Sequence, residues 1–318
     1  MKLSVAALVA TYQRPRELAR LLDSLAKIEG GLASVIVVDN GPGGEAQSVV
    51  EAARCPVQYV NAGRNLGCGG GLRLAGERAL ADAGLTHLLV LDDDTVLAPD
   101  ALTVLATAME REHADLACPL VLDAAGRVGW LPGLAGASRK LRRAGGLTPE
   151  AFRARFGNEA RDLIWAQGIC LLVARRAVEA AGLHRDDFWV RGEDLDFSLR
   201  LTARGRGIFV PGLSVQHLPP PGETDERPGA GQYLKHCALI QNIAFIGFRL
   251  PHGHRIAWTI VGALRHFFSV WKWAAPGDAL GALWRGAVVG EPAGCGAGRT
   301  FYARFTALSP PQRQASCP

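Results

Sequence analysis

Three consecutive carboxylates, Asp92, Asp93 and Asp94, come directly after the apolar run LLVL. A solvated acidic loop needs no apolar approach of this kind, whereas a buried strand that ends at the edge of a sheet would fix such carboxylates in place. Two interpretations follow, a polar turn before the next helix or a site for a divalent cation. Because Mg²⁺ and Mn²⁺ prefer carboxylate oxygens and also bind diphosphate oxygens, we favour the cation site.

A second acidic centre lies at Glu193 and Asp194, and His217 follows 23 residues after Asp194. A carboxylate at such a centre could remove the proton of a substrate hydroxyl. The ordinary alternative is the acidic start of a helix, stabilised by the helix dipole, which we expect for the nearby Asp196. A lone histidine is more often structural than functional, so the position of His217 alone assigns it no role.

In the first hundred residues, apolar runs alternate with segments of helical spacing. This pattern predicts the strands and helices that would position the candidate side chains. We expect strands at 3–10, 34–38, 57–60 and 86–91, and helices at 15–30, 45–53 and 72–83. This alternation predicts an α/β fold whose parallel sheet is covered on both faces and collects ligands beyond the carboxyl ends of its strands. Polar residues follow each strand and should therefore converge on one edge, at 11–14, 39–40, 61–65 and 92–94.

The rest of the chain is less regular. We expect strands at 117–122, 169–173 and 207–211, and helices at 101–112, at 175–181 and from 189. Residues 123–160 are rich in Gly, Arg and Ala and weakly patterned, which indicates a lid or an acceptor-side insertion. A flexible loop at 219–231, helices within 232–290 and an unpatterned tail at 291–318 complete the prediction. The domains would be 1–220, carrying the site, and 221–318, a flexible loop with a helical C-terminal region.

Composition excludes several classes of protein. A chain of 318 residues with 48% hydrophobic and 20% charged residues is globular, and a formal charge of +5 without a concentrated Lys/Arg block argues against nucleic-acid binding. Seven scattered cysteines without a C-x-x-C pair indicate a reducing cytoplasm. The N-terminal residues could be read as a short signal peptide, but a buried strand fits better. No apolar run is long enough to predict a transmembrane helix.

Six motifs in order resemble the inverting family 2 glycosyltransferases, which have a GT-A fold. They are ATYQRP, VVDNG, RNLGCGGG, LVLDDDTVL, RGEDLDFSLRL and the later His217. Each motif is weak by itself, whereas the ordered set is specific. The likeness covers about residues 1–220 and is greatest to the galactofuranosyl- and rhamnosyltransferase-like members. It implies a Rossmann-like, mostly parallel sheet flanked by helices, followed here by a C-terminal helical extension.

Donor-binding residues are implied by the same resemblance. Asp39 matches a carboxylate that accepts hydrogen bonds from a pyrimidine, with a local turn beside Asn40 as the alternative. Trp165 matches an aromatic residue that lines a sugar, with core packing as an equal alternative. The glycine run would let the backbone approach the sugar phosphate closely. The full implied set is Thr11, Tyr12, Arg14, Asp39, Arg64, Asn65, Gly69, Gly70, Asp92, Asp93 and Trp165.

Catalytic and metal-binding roles are also implied by the resemblance. Asp94 and His217 would hold Mn²⁺ or Mg²⁺, which would neutralise the departing nucleoside diphosphate. Asp92 would face the ribose, and Asp93 would help to hold either the metal or the donor sugar. Asp194 would be the general base that single-step inversion requires, and Glu193 would orient the acceptor.

The resulting prediction is a metal-dependent inverting glycosyltransferase that moves galactofuranose, rhamnose or a similar hexose from UDP or dTDP to a glycan or lipid-linked acceptor in cell-surface polysaccharide synthesis. One alternative, a sugar-phosphate nucleotidyltransferase, would need a Gly-rich basic loop where ATYQRP stands. The other, a non-catalytic GT-A-like partner protein, is disfavoured because Asp94 and Asp194 are present. We expect a cytoplasmic protein, and residues 239–275 suggest either peripheral contact with the inner face of the plasma membrane or a helical cap or homodimer interface.

Overall fold

The structure is a computed structural model that describes residues 3–220, 230–249 and 276–285. The described residues divide into two compact units. The first comprises residues up to 185 together with 194–220, and the second comprises 186–193 with 230–249 and 276–285. The predicted tail at 291–318, most of the predicted loop at 219–231 and most of the segment 239–275 lie outside the described residues.

Four parallel strands form the N-terminal part of the central sheet: β1 (Val5–Thr11), β2 (Ser34–Asp39), β3 (Val57–Asn61) and β4 (His87–Asp92). Their order across the sheet is β3-β2-β1-β4. The connecting helices are α1 (Pro15–Leu25), α2 (Gln47–Glu51) and α3 (Gly67–Leu80). The strand order reverses between β1 and β4, and such a switch point opens a crevice for ligands at the carboxyl ends of the strands.

The strand register brings the polar strand ends level with one another. Thr11 pairs with Asp39, Asp39 pairs with Asn61, and Ala10 pairs with Asp92. The convergence of polar residues on one edge of the sheet, predicted from the sequence, is confirmed.

Beyond β4 the sheet becomes mixed. β10 (Cys170–Ala174) runs antiparallel to β4 and to β6 (Leu116–Leu122), and β11 (Gly207–His217) runs parallel to β6. Short strands β5 (Thr95–Val96), β7 (Val128–Trp130), β8 (Gly133–Leu134) and β9 (Arg161–Trp165) complete the 11 strands that the described residues form. The predicted α/β class with a GT-A-like, helix-flanked sheet is confirmed, with its parallel part at the N-terminus.

Alternation along the strands explains why both faces of the sheet are covered. In β1, Val5, Ala7 and Val9 belong to one buried cluster, and Ala6 and Leu8 belong to the other. The first cluster also takes the leucines of α1, and the second takes the apolar residues of α3. Successive side chains of a strand point to opposite faces of the sheet. A strand of consecutive apolar residues must therefore be buried on both faces, as β1 is.

Two predicted boundaries were wrong for identifiable reasons. α3 begins at Gly67 rather than at residue 72, so the glycine run forms the first turns of a helix, a role that the low helix propensity of glycine conceals. β11 continues to residue 217 through a register shift between Val210 and Ser214, so His217 ends a strand instead of following one.

The segment 123–160 is ordered, although its sequence is weakly patterned. Besides β7 and β8 it contains α5 (Arg139–Arg142) and α6 (Pro149–Phe156). Ser138 and Thr148 cap these helices by accepting hydrogen bonds from the backbone N–H groups of Leu141 and Ala151. The segment therefore presents fixed surfaces to the neighbouring site.

The remaining helices are α4 (Ala101–Arg111), α7 (Arg175–Ala181) and α8 (Glu193–Thr202), followed in the second unit by α9 (Ala230–Arg249) and α10 (Pro276–Trp284). Within the described parts of the chain, none of the helices is long and apolar enough to cross a membrane. The boundary at 220 and the role of residues 221–318 stay predictions.

Candidate active site

Asp92, Asp94 and His217 offer three ligand atoms that all lie within 4.8 Å of one another. Asp92 ends β4, and Asp94 precedes β5 directly. Thr95 of β5 pairs with His217, and the backbone N–H of Leu218 donates to the carbonyl of Asp94 at 2.8 Å. This short antiparallel ladder joins the end of β11 to the acidic turn and fixes the histidine beside the carboxylates.

The contact between Asp94 and His217 is suited to a cation. Asp94 Oδ1 lies 3.0 Å from His217 Nε2 and 3% of the Asp94 side chain is exposed. The contact is an ion pair if His217 is protonated, and no other described residue donates a hydrogen bond to this oxygen. A buried carboxylate oxygen beside an imidazole nitrogen and a second carboxylate fits Mn²⁺ or Mg²⁺.

Asp93 faces a different set of partners from its two neighbours. The Thr11 hydroxyl donates to Asp93 Oδ2 at 2.7 Å, and Arg14 Nη1 donates to Asp93 Oδ1 at 3.0 Å. Arg14 Nη1 also contacts Asp94 Oδ2 at 3.1 Å. Gln13, which lies between Thr11 and Arg14 in the sequence, has a φ of 54°, a left-handed conformation that is rare for a non-glycine residue. The loop after β1 thus holds Asp93 and one oxygen of Asp94, leaving Oδ1 of Asp94 to the cation site.

The ionisable side chains of this cluster have pKa values that differ from their ordinary ones. Burial raises the pKa of Asp93 to about 6, although Arg14 opposes the shift. Removal from water, together with the negative charges of Asp94, Asp93 and Asp194, raises the pKa of Asp92. Burial alone would raise the pKa of Asp94, but His217 and Arg14 hold it below its usual value. Burial alone would lower the pKa of His217, but Asp94 and Asp92 raise it.

Asp194 lies in the first turn of α8, close enough to Asp92 for its charge to affect the pKa of that carboxyl. The backbone N–H of Gly168 donates to Asp194 Oδ2 at 3.2 Å, and that of Leu195 donates to Oδ1 at 2.7 Å. The side chain is half-buried. The structure therefore brings the predicted base near the predicted metal site. Glu193, the residue before it, is buried and belongs to the second unit.

Asp196 is more than the acidic helix start that the sequence predicted. Its buried side chain pairs with Arg200 Nε at 2.9 Å. Arg200 also donates hydrogen bonds to the carbonyls of Ala181, Gly182 and Leu183. Through these hydrogen bonds, Arg200 and Asp196 hold the segment that follows α7 against α8. This contact helps to orient α8, the helix that carries Asp194.

Asp39 forms the local turn that was the alternative to nucleotide binding. Its Oδ1 accepts from the backbone N–H of Gly41 at 2.7 Å, and its Oδ2 accepts from the backbone N–H of Ala46 at 3.2 Å and from the Tyr59 hydroxyl at 2.9 Å. Partial burial and the neighbouring Asp39 raise the pKa of Tyr59 to about 12. Recognition of a pyrimidine by Asp39 stays a prediction.

The other predicted donor residues lie around the start of α3 and the end of β1. Tyr12 and Asn65 are half-buried, and Arg64 is exposed. Asn65 Oδ1 accepts from the backbone N–H of Gly67 at 2.8 Å, which supports the start of the helix. Gly69 and Gly70 are buried in that helix. Their predicted contact with a sugar phosphate is untested.

Gly71 explains part of the glycine run. A Cβ added there would lie 2.8 Å from Ala10 Cβ and 2.9 Å from Asn40 Nδ2. Asn40 itself donates to the carbonyl of Gly67 at 3.1 Å and accepts from the backbone N–H of Leu66 at 3.2 Å. Glycine at position 71 therefore lets α3 pack directly on β1 and brings its N-terminus to the crevice.

A tryptophan contacts the site, and a second packs on a glycine of β8. Trp130, which the sequence did not single out, meets the His217 ring edge-on, with centroids 4.6 Å apart. Trp165 packs over Gly133, where a Cβ would lie 2.1 Å from the indole nitrogen. Both side chains are half-buried. A tryptophan within a glycine-rich insertion is unusual, and this could have drawn attention to Trp130. Its contact with His217 could not be predicted, because the two residues are 87 positions apart in the sequence.

The sequence matches two family models, described as Glycosyl transferase family 2 over residues 6–155 and Glycosyl transferase family group 2 over residues 87–283. The second match covers more than half of the chain. Comparison with curated proteins gives no match.

Solved structures share the fold at low sequence identity. A crystal structure of S. aureus TarS has a TM-score of 0.53 and 16% identity, covering 84% of this chain and 44% of TarS. The structure of TarS 1-349 in complex with UDP-GlcNAc has a TM-score of 0.54 and 16% identity, covering 84% of this chain and 73% of that one. The structure of GalNAc-T7 with UDP, GalNAc and Mn²⁺ has a TM-score of 0.50 and 16% identity, covering 83% of this chain and 55% of that one. The chain thus spans less than half of the first of these TarS structures.

The family matches, the GT-A-like sheet and the acidic site at its switch point agree with one another. The chain belongs to glycosyl transferase family group 2, whose model matches more than half of it.

Proposed function

We propose that this chain transfers a sugar, with inversion, from a nucleoside diphosphate donor to a hydroxyl group of a glycan or lipid-linked acceptor. The observation that carries the proposal is the buried Oδ1 of Asp94, which lies 3.0 Å from His217 Nε2 in a cluster that includes Asp92, and which receives no hydrogen bond from any other described residue. Cation ligands in this crevice, with a half-buried carboxylate at Asp194 nearby, are the groups that such a transfer requires.

Asp92, Asp94 and His217 would hold the divalent ion, Mn²⁺ or Mg²⁺. A bound ion would neutralise the negative charge that develops on the leaving diphosphate. Arg14, which contacts both Asp93 and Asp94, offsets one of the three carboxylate charges. With the ion bound, the acidic turn and Arg14 would be close to electrically neutral before the donor arrives.

Asp194 would accept the proton of the acceptor hydroxyl. The acceptor oxygen would form its bond to the anomeric carbon while the bond to the diphosphate breaks on the opposite face and the diphosphate keeps the electron pair. The hydrogen bonds from Gly168 and Leu195 would hold the carboxylate in the position that this attack needs. Glu193 would orient the acceptor.

Donor recognition would fall to residues around the switch point, with Tyr12, Asp39, Arg64 and Asn65 near the nucleotide and Asp92 near the ribose. UDP is our first choice of nucleotide and dTDP our second, because TarS and GalNAc-T7 were crystallised with uridine nucleotides. Galactofuranose, rhamnose or a similar hexose stays our prediction for the sugar, as does cell-surface polysaccharide synthesis for the pathway. A cytoplasmic location, membrane contact and homodimer formation are predictions of the same standing.

A panel of nucleotide sugars tests this function. We expect the protein to release a nucleoside diphosphate from one of them in the presence of Mn²⁺, and to stop when EDTA is added. Release of pyrophosphate from a nucleoside triphosphate and a sugar phosphate would identify a nucleotidyltransferase instead. Failure of every donor to bind, with Mn²⁺ present, would favour a non-catalytic protein.

A further inference from the structure

Positive charge in this protein is concentrated in residues 127–156, which we call the basic segment. It contains seven basic side chains and one acidic side chain, for a net charge of +6. The whole chain carries +5, so the other 288 residues together carry −1. The run RKLRR at 139–143 is a Lys/Arg block, so the prediction that the chain lacks a concentrated block is wrong.

Several of these charges face solvent, and three of them have no compensating carboxylate among the described residues. Arg127, Arg139, Lys140, Arg142, Arg143 and Arg155 are exposed. Within the described chain, no carboxylate lies within ion-pair distance of Arg139, Lys140 or Arg143. Some exposed arginines elsewhere on the same unit do have such partners, as in the pairs Arg73–Glu77 at 3.0 Å and Arg206–Asp162 at 2.8 Å. The basic segment therefore creates a local positive potential that the rest of the surface does not cancel.

The basic segment is anchored to the body of its unit. Val128 N donates to the carbonyl of Leu147 at 2.8 Å, and Gly146 N donates to that of Val128 at 2.7 Å. Leu141 and Phe152 are buried in the core. Arg153, the one half-buried cation, donates to the carbonyl of Pro211 at 2.9 Å and to Ser214 Oγ at 2.6 Å. The charges are thus displayed on a fixed platform and lose less entropy on binding than a free tail would.

This platform is continuous with the catalytic crevice. β7, inside the basic segment, ends at Trp130, whose ring meets His217. Gln167 Nε2 donates to the carbonyl of Leu131 at 3.0 Å, and the next residue, Gly168, donates to Asp194. The start of the basic segment therefore lies beside the cation ligand His217 and is linked through Gln167 and Gly168 to the carboxylate that we assign as base.

We propose that the basic segment is a docking surface for a polyanionic acceptor glycan, one that carries repeated phosphate or carboxylate groups. The inference deepens the proposed function and rests on it. Exposed arginines bind both groups through charged, paired hydrogen bonds, and several together favour a chain of anions over a single one.

An anionic membrane surface is another partner of similar charge, and the side chains disfavour it. Surface-bound segments place large apolar residues beside their cations so that these enter the lipid. Among the described residues, the large hydrophobic side chains that are exposed are Leu3, Leu280 and Trp284, all outside the basic segment. The surface offers charge without an apolar anchor, as expected for a soluble polyanion.

The test compares two sets of four substitutions that remove equal charge. The first, R139Q/K140Q/R142Q/R143Q, changes the basic segment, and the second, K27Q/R54Q/R73Q/R78Q, changes exposed cations elsewhere on the same unit. The probes are long-chain inorganic polyphosphate, polygalacturonate, neutral dextran, and vesicles of phosphatidylglycerol with phosphatidylcholine. Binding is measured at low and moderate salt, and thermal melting confirms that each variant is folded.

We expect the unchanged protein to bind at least one soluble polyanion, more weakly as salt rises, and not to bind dextran. The first set should weaken binding by about tenfold or more and the second by no more than about twofold, because the contacts are local and screened over roughly 10 Å. Equal losses in both sets, no polyanion binding, or binding to the vesicles alone would overturn the proposal. Calorimetry of UDP with Mn²⁺ on the unchanged protein reports separately on the proposed transferase function.

Discussion

His217 Nε2 lies 3.0 Å from Asp94 Oδ1, although the two residues are 123 positions apart in the sequence. The pairing of Thr95 with His217 brings them together, because it ties the end of β11 to the strand that directly follows the acidic turn. This carboxylate oxygen is buried, and no other described residue donates a hydrogen bond to it. That relationship is the basis of the cation site.

Replacement of either residue should weaken cation binding strongly. We expect Asp94→Asn and His217→Ala each to weaken Mn²⁺ binding by more than about tenfold, since each removes a direct ligand. Electron paramagnetic resonance of free Mn²⁺ measures this without any need for substrate. Asp100→Asn, at an exposed acid before α4, is the matched control and should bind as the unchanged protein does. An Asp94→Asn variant with unaltered affinity would remove Asp94 from the site.

Asp93 should behave differently from Asp94. Because its oxygens are engaged by Thr11 and Arg14, Asp93→Asn should weaken Mn²⁺ binding less than Asp94→Asn does. It should also lower the free energy of unfolding by about 1–3 kcal/mol, because a buried charged hydrogen bond is lost. Urea denaturation and the same resonance titration give the two quantities. Equal losses of Mn²⁺ affinity in the two variants would make Asp93 a ligand.

Gly71 should tolerate no side chain. Gly71→Ala places a methyl group 2.8 Å from Ala10 Cβ, and we expect it to lower the free energy of unfolding by about 1–3 kcal/mol through overpacking. Gly212→Ala is the control, because a Cβ there meets nothing within 4 Å. If chemical denaturation finds both variants equally stable, the close packing of α3 on β1 is wrong.

His184 should make stability depend on pH. Its ring stacks on Phe197 at 3.8 Å and 1% of the residue is exposed, and burial, with the nearby Arg200, lowers its pKa to about 3. Between that value and about 6.5 the unfolded chain binds a proton that the folded chain does not, so stability falls as pH falls through this window.

The measurement compares the free energy of unfolding at pH 7 and pH 5 in the unchanged protein and in His184→Leu. The unchanged protein should lose about 2 kcal/mol more than the variant over this interval. Identical pH dependence in both proteins would show that His184 takes up a proton in the folded state.

Residues at strand ends could be predicted from the sequence, because an apolar run followed by polar residues marks the edge of a parallel sheet. Asp92, Asp94 and Asp39 were found in this way. The role of Asp93 could not be predicted, because in a tight turn the direction of each side chain depends on partners such as Arg14. Trp130 was missed because its partner His217 is distant in sequence, and the start of α3 was missed because a run of glycines has a low helix propensity.

The transfer itself depends on Asp194, and Asp194→Asn tests it most directly. The amide keeps the shape of the side chain but removes the basic oxygen, so we expect binding of the donor nucleotide with Mn²⁺ to persist within about threefold while sugar transfer falls by about 10²-fold or more. Calorimetry gives the first quantity, and release of nucleoside diphosphate in the presence of acceptor gives the second. Transfer by the variant at the rate of the unchanged protein would contradict the assignment of Asp194 as the base.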